Sequence, residues 1–449
     1  MGMKEDSMSR DLGILITAIG LLLVPARGTA RGQTLLTQTT WGGAGSDVAD
    51  AIATAPDGSS YIVGMTDSFA TDQFGTPSNR IFLVKFAADG SLAWQRIWNE
   101  TTVSGLGLRR FGVAFGAGAV YVTGVSTNNQ NDAVLLKFDP NGALIWERTW
   151  GGAASDAAFD VAVDVDGSAY TVGTTDSFGA SSFGLFVVKF DSAGNLLWQK
   201  VFDGAEGDAV AVGPDGSVYA AGTIARDQLG NFDLLALKIT STGDLVWQRT
   251  YAAGNQADPR GGMTVAPDGS VVIAGAFMIP KAGIVPLSAL VIKLSADGNL
   301  VFDKQFAGRN SEAAAGVAVA PDDGTIYVSG TTTSFGAGFE DAFVLHLLPT
   351  GKKLLDAVTW GSANFEVGAG VGVSGTTLAL AASTNGPPPY SLLPAAAKLL
   401  SPRGTLSISS GTFGVVAGVA ANPAAGAATP NGTTTFGGNF EAALVRIAR

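Results

Sequence analysis

The chain has 449 residues, a net charge of −11, no cysteine and a single histidine. This composition excludes disulfides, thiolate metal sites, cysteine nucleophiles, a lipoprotein anchor and any zinc site built from several histidines. Apolar residues make up 46% of the chain and charged residues 14%, which argues against disorder, and the scattered lysines and arginines argue against nucleic acid or anionic lipid as a partner.

Residues 1–30 predict a secretory signal peptide. Lys4 and Arg10 precede an apolar run of 13 residues, 12–24, and small residues follow up to Ala30. The run is shorter than the roughly 20 residues of a membrane-spanning helix, so we expect cleavage rather than an uncleaved anchor, and no stable membrane insertion afterwards. The expected product is a single domain, residues 31–449, that is secreted, periplasmic or held at the cell surface.

A short apolar phrase with a basic residue recurs along the rest of the chain. Its first copy is residues 82–86 (FLVKF), and the others follow at intervals of 48 to 55 residues. The central residues of the eight copies are Lys85, Lys137, Lys189, Lys238, Lys293, His346, Lys398 and Arg446. A period near fifty residues is typical of solenoids, propellers and repeat arrays, so most residues of the unit are expected to build it.

Each unit contains four strand-like runs. In the third unit these are residues 158–163, 169–173, 185–190 and 196–202. Pro-Asp-Gly or a variant joins the first two runs, and Asp-Gly or a related dipeptide joins the last two; such turns are strong short-range signals of β-hairpins. Four-stranded antiparallel units in a repeat of this length predict an all-β chain folded as a β-propeller.

The two ends of the chain predict how the ring closes. The last copy of the third run, residues 443–447, is followed by no fourth run, whereas residues 35–41 match the spacing of the fourth run at residues 92–98. We therefore expect the amino-terminal strand to complete the last of eight blades, which would remove the open edges of a linear array. Because the last two units are rich in Ala, Gly and Pro, a ring of seven blades is the alternative.

The fourth run carries alternating aromatic and basic residues. Leu92, Trp94, Arg96 and Trp98 point to the same side of their strand, and the pattern returns in later units. We expect the cation to pack along the rings through a cation–π contact. The alternative is a ladder of aromatic rings on which a ligand stacks.

The best-preserved unit resembles a known repeat. The matching segments are residues 150–152 (WGG), Asp156, 161–164 (VAVD), 166–167 (DG), 170–175 (YTVGTT) and 177–178 (SF). They are similar to the repeat of the SBBP family of bacterial β-propeller proteins. The resemblance implies an exported or cell-surface propeller, often a module of a larger adhesin-like protein. It implies no defined reaction and no catalytic residues.

The single histidine, His346, occupies the position that Lys85 and Lys137 occupy in their units. We interpret it as a structural residue on a strand. A serine–histidine–acid triad would have to rest on this one residue, whose presence the repeat already explains.

Carboxylates remain as candidate functional groups. In such a propeller the hairpin turns lie on one face (the hairpin face), and the inter-blade and second-to-third-strand loops lie on the other (the long-loop face), where loops vary and binding usually occurs. Asp47, Asp67, Asp156 and Asp176 are the calcium candidates, the only cofactor considered. Alternatively, these side chains hold loops by hydrogen bonds, or paired carboxylates catalyse glycoside cleavage. No catalytic residue is assigned.

Two functions stay open. The first is a non-catalytic binding or scaffold module outside the cytoplasm, which engages a protein or glycan through the long-loop face. The second is a carboxylate-dependent hydrolase or lyase in the central funnel. The lack of histidine and cysteine chemistry favours the first.

Overall fold

The computed structural model describes residues 33–69, 80–98, 111–126, 131–180, 183–227, 231–252, 256–258, 262–278, 287–385, 390–395, 398–400, 405–407 and 440–449. All the regular elements in these ranges are β-strands, as the repeat predicts. Across these ranges, no helix is long and apolar enough to cross a membrane. The predicted signal peptide, residues 1–30, lies outside them.

The strands form seven four-stranded antiparallel blades arranged in a ring. Blade one comprises Asp47–Thr54, Ser60–Thr66, Arg80–Phe86 and Leu92–Trp98. Blade two comprises Val113–Gly116, Ala119–Ser126, Asp132–Phe138 and Leu144–Trp150. Blade three comprises Asp156–Val163, Ala169–Thr175, Gly184–Phe190 and Leu196–Asp203. Blade four comprises Ala205–Val212, Val218–Ala225, Phe232–Ile239 and Leu245–Ala252. The propeller predicted from the repeat is confirmed.

Blades five to seven vary this pattern slightly. Blade five has a first strand in two pieces, Gln256–Asp258 and Met263–Val265, followed by Val271–Met278, Leu287–Leu294 and Leu300–Ala307. Blade six comprises Glu312–Val319, Ile326–Thr332, Asp341–Leu347 and Leu354–Gly361. Blade seven comprises Glu366–Ser374, Thr377–Thr384, Glu441–Ala448 and Thr34–Trp41, and three short strands lie outside the blades: Ser391–Pro394, Lys398–Leu400 and Thr405–Ser407.

Blade seven is closed by the two ends of the chain. Thr34–Trp41 pairs antiparallel with Glu441–Ala448, with Leu35 opposite Ile447 and Trp41 opposite Ala442. The predicted closure by the amino-terminal strand is therefore confirmed.

The expected count of eight blades is wrong, and the ring has seven. The third strand of blade seven is the Arg446 phrase, which lies beside Thr377–Thr384, and not the Lys398 phrase. Pro394 and Pro402 flank Lys398 on either side, and proline cannot donate a ladder hydrogen bond. Prolines on both sides disfavour a long ladder strand around Lys398. The phrase contributes Lys398–Leu400 at the edge of blade five, whereas the strand that begins at Glu441 extends over eight residues.

The core lies between the blades. Seven clusters of buried apolar residues each join two consecutive blades around the ring. The cluster at the closure contains Trp41 and Leu444 from blade seven together with Ile62 and Phe82 from blade one. Each blade is therefore stabilised by both of its neighbours, so the ring behaves as one unit.

The aromatic and basic residues of the fourth strands join each blade to the next. Trp94 Nε1 and Lys85 Nζ both donate to the carbonyl oxygen of Pro140 in blade two, at 3.0 and 3.1 Å, and Arg96 Nε donates to Gly142 O at 2.7 Å. The Arg96 guanidinium lies 5.3 Å from the Trp94 ring. The predicted cation–π packing is confirmed, and the rings pack in the joint between blades.

One glycine in the second strand makes room for an irregular first strand. In blade three the register shifts between Ala158 and Asp160. A Cβ on Gly173, which faces this irregularity, would lie 1.9 Å from Ala157 O. Gly64, Gly222 and Gly330 occupy the same position, with the corresponding carbonyl oxygen at 1.8 to 2.0 Å. The repeat therefore needs glycine here because the backbone of the first strand approaches closely.

Candidate functional site

Two of the calcium candidates hold the loops of the long-loop face. Asp47 is fully buried at the start of the first strand of blade one. Its Oδ2 accepts hydrogen bonds from Gly43 N at 2.8 Å and from Ser68 Oγ at 2.6 Å. Asp156 repeats the arrangement in blade three, where Oδ2 accepts from Gly152 N at 2.7 Å. Burial raises the pKa of both carboxyls above the ordinary value.

The recurring Thr-Asp-Ser-Phe sequence supplies the partners of these buried carboxylates. In blade three, Thr175 Oγ1 donates to Asp156 Oδ1, and Ser177 Oγ donates to Oδ2 at 2.9 Å. Phe178 stacks on Trp150, with ring centroids 4.7 Å apart. The aspartates of the two Thr-Asp-Ser-Phe segments, Asp67 in blade one and Asp176 in blade three, are the remaining calcium candidates. Asp67 accepts a hydrogen bond from Ser46 N. The pattern that suggested a metal site therefore fastens the loops.

Glutamates take the same role in blades six and seven. Glu312 accepts from Gly308 N at 2.6 Å, and Glu366 accepts from Ser362 N at 2.8 Å and from Thr384 Oγ1 at 2.9 Å. Within the described ranges, no group of three or more His, Cys, Asp or Glu side chains is placed to hold a metal ion. Calcium binding stays a prediction.

Asp132, which the sequence analysis did not single out, faces one of these carboxylates. It begins the third strand of blade two, and a Cβ on Gly151 would lie 2.2 Å from its Oδ1 and 2.9 Å from Asp156 Oδ2. Burial, and then the charge of Asp156, raises the pKa of Asp132 to about 6. The carboxylates of Asp341 and Glu366 form a second such pair, and both lie close to Gly361.

The sequence does contain a recurring pattern from which Asp132 could have been identified as a candidate. An acidic residue stands five positions before the central residue of the third strand in four units, at Asp132, Asp233, Asp341 and Glu441. Only the ring geometry shows that this position lies against the first strand of the next blade. For example, Asp156 N donates to Asn131 O at 2.8 Å.

Replacement of Asp132 by Asn should stabilise the protein near neutral pH. Because the folded-state pKa is raised, the charged carboxylate costs stability above pH 6, and this cost disappears as the pH falls from 6 towards 4. We expect Asp132→Asn to gain about 1 kcal/mol at pH 7.5, after allowance for solvent screening, and nothing at pH 4. Thermal melts across this range measure the difference in stability, with Asp297→Asn, at an exposed residue of a hairpin turn, as the control; equal gains at both pH values would contradict the prediction.

An exposed aromatic residue also marks the long-loop face. Phe339, in the loop between the second and third strands of blade six, is 70% exposed. Its ring stacks on Phe365 from the next inter-blade loop, with centroids 5.2 Å apart and planes 11° from parallel. Asp341 holds this loop by accepting from Ala337 N at 3.1 Å and Gly338 N at 3.0 Å. The face thus presents an exposed aromatic ring that is stacked on a second ring.

His346 occupies the lysine position of the repeat, as predicted. It stands opposite Tyr327, and the two rings stack with centroids 4.4 Å apart, just as Lys85 lies over Tyr61. Arg449 supplies the missing cation 5.7 Å from the Tyr327 ring, and pairs with Asp322 at 2.7 Å and Asp323 at 2.9 Å. Burial lowers the pKa of His346, so the imidazole is neutral at pH 7.

Replacement of His346 by Lys should leave the fold and any activity intact at pH 7, within about 1 kcal/mol of stability, because the repeat places lysine here in five other blades. Below pH 6.5 the variant should become the more stable protein. The lowered pKa of His346 means that its protonation favours the unfolded chain, whereas a lysine stays charged throughout. Melting curves from pH 7.5 to 5 measure the difference, and loss of a measurable activity with an unchanged melt would overturn the structural role.

A cavity of about 470 Å³ opens on the opposite, hairpin face between blades five and six. It contains the buried Lys293 ammonium, which donates to Pro349 O at 3.2 Å and lies 3.6 Å from Asp268. Val272 stands opposite Lys293, where blades one to four have tyrosine. Because the Lys293 ammonium is already paired with Pro349 O and Asp268, we assign the cavity no ligand.

Comparisons with known proteins assign the chain no family and no function. No family model matches the chain, and no curated protein is similar to it in sequence. Similar solved structures include a puromycin hydrolase, 18% identical over 80% of this chain and 54% of that one, with a TM-score of 0.47. Sqt1 of Chaetomium thermophilum is 11% identical over 85% and 87% of the two chains (TM-score 0.42), and the periplasmic gluconolactonase PpgL of Pseudomonas aeruginosa is 12% identical over 69% and 84% (TM-score 0.39). The chain thus spans about half the length of the puromycin hydrolase.

Proposed function

We propose that the protein is an exported, non-catalytic β-propeller that binds a protein or glycan partner through its long-loop face. The observation that carries this proposal is the exposed ring of Phe339, stacked on Phe365 in a loop held by Asp341. A large aromatic side chain on a rigid loop is the kind of residue that contributes most to a binding interface. The next residue in the chain, Glu340, is partly exposed, and a carboxylate can accept hydrogen bonds from sugar hydroxyls or pair with a basic side chain.

The sequence supports the other parts of the proposal. The segment up to Ala30 has the pattern of a signal peptide, and the repeat resembles that of the exported SBBP propellers. The Thr-Asp-Ser-Phe sequences fasten the described parts of these loops through hydrogen bonds to Asp47 and Asp156. This arrangement suits recognition by a surface with little rearrangement.

The test uses two exposed apolar residues on opposite faces. The mature chain is screened against a glycan array and candidate extracellular proteins, and binding of each hit is measured with Phe339→Ser and Val165→Ser. Val165 lies in a hairpin turn and is 96% exposed, so it is the matched control. We expect Phe339→Ser to weaken binding by roughly 10-fold or more at an unchanged melting temperature, and Val165→Ser to bind normally. Equal binding by both variants would refute the long-loop face as the site.

The carboxylate-dependent hydrolase or lyase is the second candidate, and Asp132 is the observation that favours it. A carboxyl group with a pKa of about 6 next to another carboxylate is suited to general acid catalysis. Its neighbour Asp156 is occupied by three hydrogen-bond donors, which weakens the case for a second catalytic group. Turnover of a panel of glycosides and polyuronates, abolished by Asp132→Asn and unaffected by Phe339→Ser, would establish this function instead.

We also propose that calcium, if it binds, does so on the long-loop face near Asp67 or Asp176. Ligand that binds only the folded protein raises its stability by about 2.7 kcal/mol at a hundredfold excess over Kd. Melts of the mature chain in calcium and in chelator test this, with magnesium as the control. If the melting temperature does not rise specifically with calcium, the protein does not bind this metal under these conditions.

A further inference from the structure

A long insertion separates the second and third strands of blade seven. The second strand ends at Thr384 and the third begins at Glu441, yet these two residues lie directly opposite each other in the sheet. A two-residue turn could join them, as in an ordinary hairpin. Blade seven therefore does not need the insertion in order to connect these two strands.

Three pieces of the insertion add a fifth strand to neighbouring blades. Ser391–Pro394, Lys398–Leu400 and Thr405–Ser407 pair antiparallel with the fourth strands of blades six, five and four, respectively. We call these three strands the outer belt. The fourth strand of a blade is an edge, whose free backbone groups can pair with a strand of another chain. The outer belt therefore occupies three edges of the ring.

The belt strand on blade six is held by apolar packing. Leu392 is buried in one cluster with Val358 and Trp360 of the fourth strand. Under the belt, Thr359 is 1% exposed, whereas Thr149 at the same position of blade two is exposed. Blade two has no fifth strand among the described residues, so the difference in burial reflects the cover that the belt provides.

A backbone ladder also holds this belt strand. Ala395 N donates to Ala357 O at 2.8 Å. Because alternate residues of an antiparallel strand direct their backbone groups towards its partner, the N–H groups of Leu393 and Ser391 face the same edge. Every second residue of the edge, from Ala357 to Gly361, therefore pairs with the belt through its backbone.

The covered edge of blade six carries no charge. The segment Ala357–Gly361 is uncharged, and Val358 lies two residues before the last aromatic residue of the strand. Blades one to five have a cation at this position: Arg96, Arg148, Lys200, Arg249 and Lys304. Blade seven has Thr39 there, between Gln38 and Thr40. Charged side chains discourage pairing between edges, whereas an uncharged segment with β-branched and aromatic residues favours it.

The same segment is complementary to itself about a two-fold axis at Thr359. Antiparallel pairing with a second copy would place Thr359 opposite Thr359, Val358 opposite Trp360 and Ala357 opposite Gly361. The backbone groups that now bond to the belt would then bond to each other, since the same alternate residues face the partner. Each Val–Trp pair would join a β-branched residue to an aromatic one, which is a favourable cross-strand combination.

We propose that the belt strand Ser391–Pro394 guards the outer edge of blade six against pairing with the same edge of a second copy. Blade six has four strands of its own and packs against blades five and seven through apolar clusters, so the ring folds without this cover. When the belt strand leaves, two copies join through a two-fold contact into one continuous eight-stranded sheet. This inference is independent of the proposed binding function, which concerns the long-loop face.

Proline substitutions in the full chain test the proposal. Ser391→Pro, Leu393→Pro and Ala395→Pro together remove the N–H donors of the belt strand. The matched control, Ser391→Ala with Leu393→Ala, keeps all three donors. Mass is measured by light scattering after size exclusion over a range of concentrations, and folding by thermal melts. We expect the control to have the mass of the full chain, and the proline variant to reach twice that mass while it still melts cooperatively.

Two lysine substitutions in the proline variant identify the surface that pairs. Thr359→Lys places a cation on the edge and should return the mass to that of the full chain. Val165→Lys adds the same charge in a hairpin turn, at a residue that is 96% exposed, and should leave the mass doubled.

Three results would overturn the proposal. The first is a folded proline variant with the mass of the full chain. The second is an equal effect of the two lysines, which would place the contact elsewhere on the ring. The third is a proline variant with no cooperative melt, because the belt strand would then be a required part of the fold and not a guard.

Discussion

Deletion of residues 31–41 should unfold the whole propeller rather than fray one blade. The deleted residues include the fourth strand of blade seven, and Trp41 is buried between blades seven and one. Trp41 Nε1 donates to Gln95 Oε1 at 2.7 Å, and Trp360 Nε1 of blade six donates to Gln38 Oε1 at 3.1 Å. Loss of a buried tryptophan alone costs about 3–5 kcal/mol, and a typical domain has only about 5–15 kcal/mol in total.

The measurement is a thermal melt followed by circular dichroism, with deletion of residues 1–30 as the matched control. We expect the control to melt at the temperature of the full chain, and the longer deletion to show no cooperative transition or one shifted far below it. A variant lacking residues 31–41 that melts cooperatively at the wild-type temperature would show that the blade-seven strand is dispensable for ring stability.

The repeat allowed the architecture of each blade to be predicted, because hairpin turns and strand alternation are local. The predicted runs of the third unit fall within the observed strands, as 169–173 does within Ala169–Thr175. The number of blades is not local. The Lys398 and Arg446 phrases compete for one place beside Thr377–Thr384, and the outcome depends on proline positions and on the partner strand that Thr34–Trp41 offers to Arg446.

The candidate site was predictable to a similar extent. The sequence located carboxylates on the long-loop face, and the recurrence of Thr-Asp-Ser-Phe identified a shared role. It could not show that Asp156 turns inward to bind its own loop, because this depends on where the ring brings the Gly152 backbone. The raised pKa of Asp132 and the exposure of Phe339 likewise arise from contacts between neighbouring blades.

Replacement of Gly173 by Ala should cost far more stability than the same change at Gly370, a glycine in the strand Glu366–Ser374 of blade seven. At Gly173 the new Cβ would lie 1.9 Å from Ala157 O and 2.9 Å from Ala158 Cα, so the backbone of the first strand must move. At Gly370 the new Cβ would lie 3.1 Å from Ile52 Cγ2 and 3.4 Å from Ile52 N, which are much looser contacts among the described residues.

We therefore expect Gly173→Ala to lose about 3 kcal/mol or more, and Gly370→Ala about 1 kcal/mol, in urea unfolding. Thr174→Ala, on the adjacent half-buried residue, controls for a change in the same strand and should lose less than about 1 kcal/mol. The cost at Gly173 arises because the irregular first strand of blade three, where the register shifts between Ala158 and Asp160, brings a carbonyl against the second strand. Equal losses at Gly173 and Gly370 would show that the close approach of the Ala157 carbonyl is not what makes the substitution at Gly173 costly.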